Sequence, residues 1–374
     1  MREINTLLEL QTLNGQQVRA GNGYTWHGEY SNLIINFSLE LNPPIQNIKF
    51  HNCIFKEDFF IKRTVQGKLY INDCTFEKDF DISGAVFPQK VRFQKNEYKG
   101  LALFNNTVFN DLVDFWGSTF HKRTIFYKTN FLGILVLSSV TFNENLLFTY
   151  TLVEKMMILR GISLKKGLDL SLSIITGEVG IYDFKLSNFD SENIQSDTEH
   201  FQICVSRTGE IPTKNKRETF RIIKEKFLKV HNVIESLTYE SLEKQAHSQY
   251  MKESRVVFFS NDRLIFLFNN WSNKHRSSFK QGIKFTFIVA VVTYFLSIVT
   301  SGNFTLTLDD FWGNLFQNIK GFILTLNPIH RISNLKEIYE IDDFGLAFYV
   351  FNYIGRVLVG YGTYQTIQAF RKYR

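Results

Sequence analysis

A chain of 374 residues has room for two or three structural units, and its 38 Phe and 16% aromatic content exceed what an ordinary soluble domain packs. The formal charge of +7 gathers near the C-terminal apolar segments rather than along a DNA-sized face, which points to membrane phosphates and away from nucleic acid as a partner. Three cysteines, Cys53, Cys74 and Cys204, give no even framework, no CxxC and no Cys/His ligand spacing, so neither a disulfide scaffold nor a zinc site is expected and a reducing compartment fits.

Met1 to Gly15 is polar and mixed, without a basic segment followed by an apolar run, so no cleavable signal peptide is expected. Residues 1–44, with Gly21, Gly23 and Pro43-Pro44, read as an irregular leader or a first coil that caps an open end.

A repeat follows. Phe76, Phe87, Tyr98, Phe109, Phe120, Phe131 and Phe142 stand eleven apart, and Val153, Leu164 and Ile175 keep the register. A second series runs beside it through Phe93, Phe104, Phe115, Phe126, Leu137, Phe148, Leu159 and Leu170. Two positions before the first series sit mostly small residues: Cys74, Ala85, Asn96, Thr107, Ser118, Thr129 and Val140. Each unit thus has two short alternating segments, each aiming two side chains inward, separated by turns such as Gly117-Ser118 and Asn105-Asn106. An eleven-residue spacing also suits a right-handed supercoil of helices, but the alternation and the Thr, Val and Phe content favour strands. Two units would close one four-sided coil, giving six or seven coils with stacked Phe as the core and Cys53 and Cys74 as buried free thiols.

The small-x-Phe unit, over roughly residues 45 to 190, resembles the pentapeptide-repeat family, whose coil sides carry a central Leu or Phe with a small residue two before it. The departures are scarce Asp or Asn before the central residue and eleven rather than ten residues per pair of sides. The resemblance implies a β-solenoid over 45–208, a right-handed quadrilateral β-helix of 11-residue half-coils. Charges along residues 50 to 190 are nearly balanced, unlike the acidic members that mimic DNA.

Apolar residues Phe220, Ile223, Phe227 and Val230, then Ile234, Leu237, Leu242 and Ala246, recur at helical spacing and predict an α-helical hairpin linker over 215–252. Its Arg-rich first helix and Glu-rich second resemble the hairpin joining repeats to membrane helices in some bacterial pentapeptide-repeat membrane proteins. His231 and His247 stand singly on polar faces, so no metal site is expected. Residues 254–280 hold Phe258, Phe259 and Leu264 to Phe268, interrupted by Asn261, Asp262 and Arg263, and end near Trp271, the pattern of an interfacial amphipathic helix.

Residues 283–374 read as an α-helical, two-pass transmembrane domain. Phe285 to Leu308 carries no charge and is the first span, and Phe344 to Phe370 is the second. Between them 311–326, apolar around Lys320, reads as amphipathic or re-entrant. Lys274, His275, Arg276, Lys280 and Lys284 precede the first span and Arg371, Lys372 and Arg374 follow the second. The loop between holds Asp309, Asp310, Glu337, Glu340, Asp342 and Asp343 against Lys320, Arg331 and Lys336, which puts both termini in the cytoplasm. The C-terminal wording, Gly362-Thr363-Tyr364-Gln365 onward, resembles that of bacterial two-pass proteins, implying an inner-membrane location.

Val359-Gly360-Tyr361-Gly362 copies a potassium-filter tetrad, but a filter needs a full inner helix after it and the tetrad sits inside the last apolar segment. Gly360 and Gly362 therefore read as close-packing positions between helices. Arg356, near mid-span with Asn352 one turn before it, either faces protein or water or snorkels to the interface. No HExxH, GxSxG or Walker loop occurs and no cofactor, metal or catalysis is expected. Two functions remain: a membrane-anchored solenoid that binds a protein partner as a scaffold, and an oligomeric pore or membrane effector gated through the solenoid, in which copies of the chain form a ring.

Overall fold

The computed structural model describes residues 1–13, 19–20, 23–24, 26–41, 45–254, 261–274, 278–301 and 311–370. Gly21, Pro43-Pro44, the start of the 254–280 segment with Phe258 and Phe259, His275, Arg276, Asn303, Asp309, Asp310 and the basic Arg371, Lys372 and Arg374 lie outside those residues. The chain divides into two compact units, Met1–Val230 with Gln245–Ser254, and His231–Lys244 with Arg255–Arg374.

The first unit is a β-solenoid of about seven turns. Among the described residues its strands form four parallel sheets of eight, eight, seven and five strands, beside a two-stranded antiparallel pair, Arg19–Ala20 with Gly23–Tyr24. Phe76 pairs with Tyr98, Tyr98 with Phe120 and Phe120 with Phe142, a step of twenty-two residues per turn. Strands begin at Phe80, Val86, Val91, Glu97 and Ala102, alternately six and five residues apart. The eleven-residue period is therefore one short side plus one long side.

The longer side owes its extra residue to a corner in the left-handed region. Positive φ recurs every eleven residues at Asp73, Gly84, Lys95, Asn106, Gly117, Lys128, Ser139, Tyr150 and Gly161. The residue after each is the small buried one, and where it is polar its side chain holds the backbone: Thr107 Oγ1 donates to the Ile82 carbonyl (2.9 Å), Ser118 Oγ to that of Phe93 (2.7 Å) and Thr129 Oγ1 to that of Phe104 (2.7 Å). Asn96 links three turns, accepting from Cys74 N (2.9 Å) and donating through Nδ2 to the Ile71 carbonyl and through its backbone N to Ser118 Oγ. Buried polar groups at the corners are thus satisfied by neighbouring turns, which ties the coil together.

The inward side chains of the two sequence series stack by alternate members. Phe55, Phe76, Tyr98, Phe120 and Phe142 form one column with centroids 4.5–5.1 Å apart and rings within 9° of parallel. Phe87, Phe109 and Phe131 form a second, Phe104, Phe126 and Phe148 a tilted third, and Phe93 over Phe115 a fourth. All are buried. Offset ring pairs at these separations add to the area they bury, and Cys53 and Cys74 are buried and unpaired in the same core.

The ladders start before residue 45. Arg2–Ile4 pairs with Leu33–Ile35, which pairs with Ile54–Phe55, so much of 1–44 belongs to the first turns rather than to an irregular leader. The first step is longer than twenty-two residues, with Arg2 opposite Leu33, and the next two are shorter, with Ile34 opposite Ile54 and Ile54 opposite Thr75, which breaks the eleven-residue spacing. Thr6 caps α1 (Leu7–Thr12), accepting from Glu9 N at 3.3 Å.

At the other end the strands stop at Tyr182, and Phe184, Leu186, Phe189 and Ile194 bury an irregular stretch. Then come α2 (Glu199–Ile203), a π-helical turn (Cys204–Thr208) and α3 (Thr213–Lys229). Where the next strand would sit, Thr219 Oγ1 of α3 accepts from Leu170 N at 2.9 Å, and Asn215 donates to buried Asp169 at 2.9 Å. The helix thereby closes the open edge. Helix α4 (Val233–Glu253) lends its last turns, from Gln245, to this unit, where Gln249 accepts from Lys216 Nζ at 3.2 Å. The expected hairpin over 215–252 is thus two helices whose second is divided between units.

The second unit holds α5 (Asn261–Asn273), α6 (Phe279–Thr300), α7 (Phe311–Thr325), α8 (Ile332–Tyr339) and α9 (Leu346–Phe370). Among the described residues α6 is the helix long and apolar enough to cross a membrane. Sequence periodicity did not announce α8, a two-turn helix ended by Glu340 at φ +52°. In α7 Trp312, Phe316, Ile319, Lys320 and Ile323 are exposed and Asn318 and Thr325 are buried.

Candidate functional site

Helices α6 and α9 run antiparallel in close contact, and small residues set the distance. A Cβ added to Gly282 would lie 2.6 Å from Thr366 Oγ1, one on Gly355 would lie 2.7 Å from Thr293 Oγ1, and Gly362 meets Thr286. Each step forward along α6 is matched by an equal step back along α9, with heptad spacing between Thr286 and Thr293 and between Gly355 and Gly362. That is a small-residue seam of the kind that lets helix backbones approach. Gly360 does not share it. Its nearest neighbour is Pro328 Cβ at 3.7 Å, so of the two expected close-packing glycines only Gly362 lies in the seam. The tetrad from Val359 to Gly362 lies inside helix, and the Val359 carbonyl accepts from Thr363 Oγ1 at 2.9 Å. A filter needs its carbonyls free.

The seam also turns polar groups inward. On α9 the buried face is Asn352, Gly355, Val359, Gly362, Gln365 and Ala369, while Tyr353, Ile354, Val357, Tyr364 and Ile367 are exposed. On α6 Thr293 and Ser297 are buried, and Phe287, Val291, Val292, Phe295 and Val299 are exposed. Thr293 Oγ1 donates to the Val289 carbonyl (2.8 Å) and Ser297 Oγ to that of Thr293 (2.7 Å), the local bonds by which hydroxyls are tolerated inside apolar helices.

Arg356 stands in this interior. A cavity of about 10 Å³ is lined by Thr293, Tyr294, Ser297, Thr325, His330, Asn352, Gly355 and Arg356, space for one water. Among the described residues, Arg356 Nε and Nη2 are buried with no hydrogen-bond partner, and no carboxylate lines the cavity. His330 Nδ1 lies 2.7 Å from the Asn327 carbonyl, so it donates there, and Nε2 accepts from Asn352 Nδ2 at 3.3 Å. The imidazole is therefore neutral, as suits a ring beside a guanidinium. Tyr294 of the cavity wall also belongs to a second polar knot with Tyr339 and Asn318: Tyr294 OH meets Tyr339 OH and donates to the Asn318 carbonyl at 2.7 Å, and Tyr339 OH lies 3.0 Å from Asn318 Oδ1. At the opposite end of the helix pair, Asn273 of α5 donates to Gln365, and Tyr361 OH donates to Asn269 at 3.1 Å.

The structure thus brings Arg356 and Asn352 to one cavity and leaves Gly360 outside it. Thr293, Ser297, His330 and the Tyr294, Tyr339, Asn318 knot complete the polar interior. Their signal in the sequence is a set of hydroxyls and an amide at helical spacing within apolar segments, legible only once the partner helices are known. Chemically the cavity offers unmet donors to a small acceptor.

Compared with protein-family models, curated proteins and solved structures, the chain matches none.

Proposed function

We propose that this chain is a membrane-anchored scaffold: a right-handed, four-sided solenoid of pentapeptide-repeat type held in the cytoplasm by a two-pass helical domain at a bacterial inner membrane, its solenoid faces serving a protein partner. The observation that carries the anchor is the inverted polarity of the second unit, with Thr293, Ser297, Asn318, Asn352 and Gln365 buried while Phe287, Phe295, Tyr353 and Trp312 are exposed. In water this distribution is costly. In hydrocarbon it is the favourable one, because interhelical contacts there rest on small residues and satisfied polar groups.

Arg356 supports anchoring over a pore. Its two unmet nitrogens turn into the bundle, whereas a ring of α9 helices conducting ions would present that charge on the face shared between copies. The solenoid supports a binding role through its regular surface: Lys99 pairs with Glu77 at 3.0 Å and His121 with Glu97 at 2.9 Å on successive turns. These ladders leave a rigid, charge-balanced face suited to a partner of mixed charge rather than to nucleic acid.

Topology is the part that one experiment decides. With the three native cysteines replaced, single cysteines at Asn303 and Arg374 are treated with an impermeant thiol reagent on intact cells. Labelling at Asn303 and protection at Arg374 is the expected result. Labelling at Arg374, or none at Asn303, overturns the two-pass anchor with cytoplasmic termini.

A further inference from the structure

At the closing end of the solenoid, outside the membrane unit, three side chains of different chemistry converge. His200 and Cys204 lie four residues apart across the junction of α2 with the π-helical turn, and Gly209 at φ +74° reverses the chain so that Glu210 returns beside them. Cys204 Sγ lies 2.9 Å from Glu210 Oε2, and His200 Nε2 lies 3.7 Å from the same oxygen. The donor atoms of all three lie within 4.8 Å of one another. A tetrahedral zinc with ordinary bond lengths separates its ligand atoms by about 3.3–3.6 Å, so side-chain shifts of about an ångström would bring this set to coordination.

The backbone that carries the three groups is fixed. Thr149 Oγ1 donates to the Val205 carbonyl at 2.7 Å, Asn145 Nδ2 to the Gly209 carbonyl at 2.9 Å, and Arg123 to the Arg207 carbonyl. Each of these donors stands on the solenoid, and the short loop is held against it like a ligand-bearing turn on a rigid scaffold. Burial, together with the hydrogen bond to Glu210, pushes the Cys204 thiol up to about 11. Without a cation the site therefore keeps its proton, shared toward the carboxylate. The negative charge of Glu192 also reaches this thiol.

We propose that His200, Cys204 and Glu210 form a binding site for a zinc-class divalent ion, with three protein ligands and a fourth position open to water or another donor. Soft thiolate, imidazole and carboxylate together suit a borderline ion and not calcium or magnesium, which take all-oxygen shells. Binding displaces the Cys204 proton to solvent as the sulfur–metal bond forms, so affinity rises with pH. No redox step is involved. The site binds α2 and the π-helical turn to the segment after Gly209, which would stiffen the cap of the solenoid.

The test is a cobalt titration of the reduced full-length chain in detergent, read by absorbance, with zinc competition. One cobalt per chain, a thiolate-to-cobalt charge-transfer band and its loss on adding zinc are expected. Cys204→Ser should abolish the band, and a Cys53→Ala, Cys74→Ala double variant should keep it. His200 is exposed, so His200→Ala leaves the fold intact and should weaken binding by more than about tenfold, since even the outer-shell partner of a metal ligand is typically worth about 10–100-fold. No stoichiometric cobalt in the wild type, a band that survives Cys204→Ser, or unchanged affinity in His200→Ala would each overturn the proposal.

Discussion

Gly355 lies directly against Thr293: a Cβ built on it would come 2.7 Å from Thr293 Oγ1 and 3.0 Å from Thr293 Cβ. The hydroxyl is already committed to the Val289 carbonyl, so it has little freedom to move aside. This contact sets the spacing of α6 and α9 next to the Arg356 cavity.

Gly355→Ala is therefore expected to destabilise the helical unit by about 1–3 kcal/mol, the usual cost of overpacking. Gly360→Ala, with only Pro328 Cβ at 3.7 Å, should be neutral or slightly stabilising because Ala is the better helix former. Thermal midpoints of the two full-length variants in detergent check the order, and an inverted order would refute the packing seam.

The solenoid's corners make a second contrast. Gly84 has φ +75° and open space where a Cβ would go, so Gly84→Ala meets no neighbour and should cost about 1–2 kcal/mol from backbone strain alone. Ser139, exposed at φ +56° in the equivalent corner, already bears that strain. Ser139→Gly should raise stability by up to about 1 kcal/mol, the strain relieved less the added freedom of glycine in the unfolded chain. A loss at Gly84→Ala with a smaller gain at Ser139→Gly in chemical denaturation would support the corner geometry, and a loss at Ser139→Gly would contradict it.

These corners show where sequence reading reaches its limit. The repeat from Phe76 to Phe142 was legible because each turn takes twenty-two residues and aims the same positions inward. The left-handed corner is marked in the sequence only where a turn residue, Asp73, Gly84, Asn106, Gly117 or Gly161, occupies it. Lys95, Lys128 and Tyr150 carry no turn signature and take the conformation because neighbouring turns impose it. The first turns, read as a leader or a first coil, lack the eleven-residue spacing because their steps of thirty-one, twenty and twenty-one residues shift the register. Arg356 and Asn352 were legible as polar residues in an apolar helix, whereas His330, Thr293 and Ser297 come to them from other helices. His200, Cys204 and Glu210 meet only through the π-helical turn and Gly209, for which no ligand spacing in the sequence prepares a reader.

Asp169 gives a pH prediction. It is buried, and desolvation raises its carboxyl above the usual range against the hydrogen bonds from Ser171, Asn215 and Thr219 that oppose the shift. A group with a raised folded value contributes stability that is complete below its unfolded value of about 3.9 and is lost as pH rises through the folded value. The midpoint of the wild type, relative to Asp169→Asn, should therefore fall as pH rises from that lower limit. Parallel pH profiles for the two proteins would show that Asp169 titrates as it does in the unfolded chain.

Arg356 separates the anchor from the pore. Among the described residues its Nε and Nη2 are buried without acceptors, in a cavity that holds one water at most, and each unmet buried donor costs about 1–3 kcal/mol. Arg356→Met removes both donors while keeping most of the apolar stem, so the midpoint of the full-length protein in detergent should rise. A guanidinium that reached lipid headgroups would gain from its charge there, and the same substitution would lower the midpoint. Planar-bilayer recording supplies the functional half. With insertion matched by proteoliposome flotation, and with cell extract added to supply a trigger, neither wild type nor Arg356→Gln should conduct. Conductance in the wild type with changed ion selectivity in Arg356→Gln would place the charge in a water-filled path, and the scaffold reading would then give way to the pore.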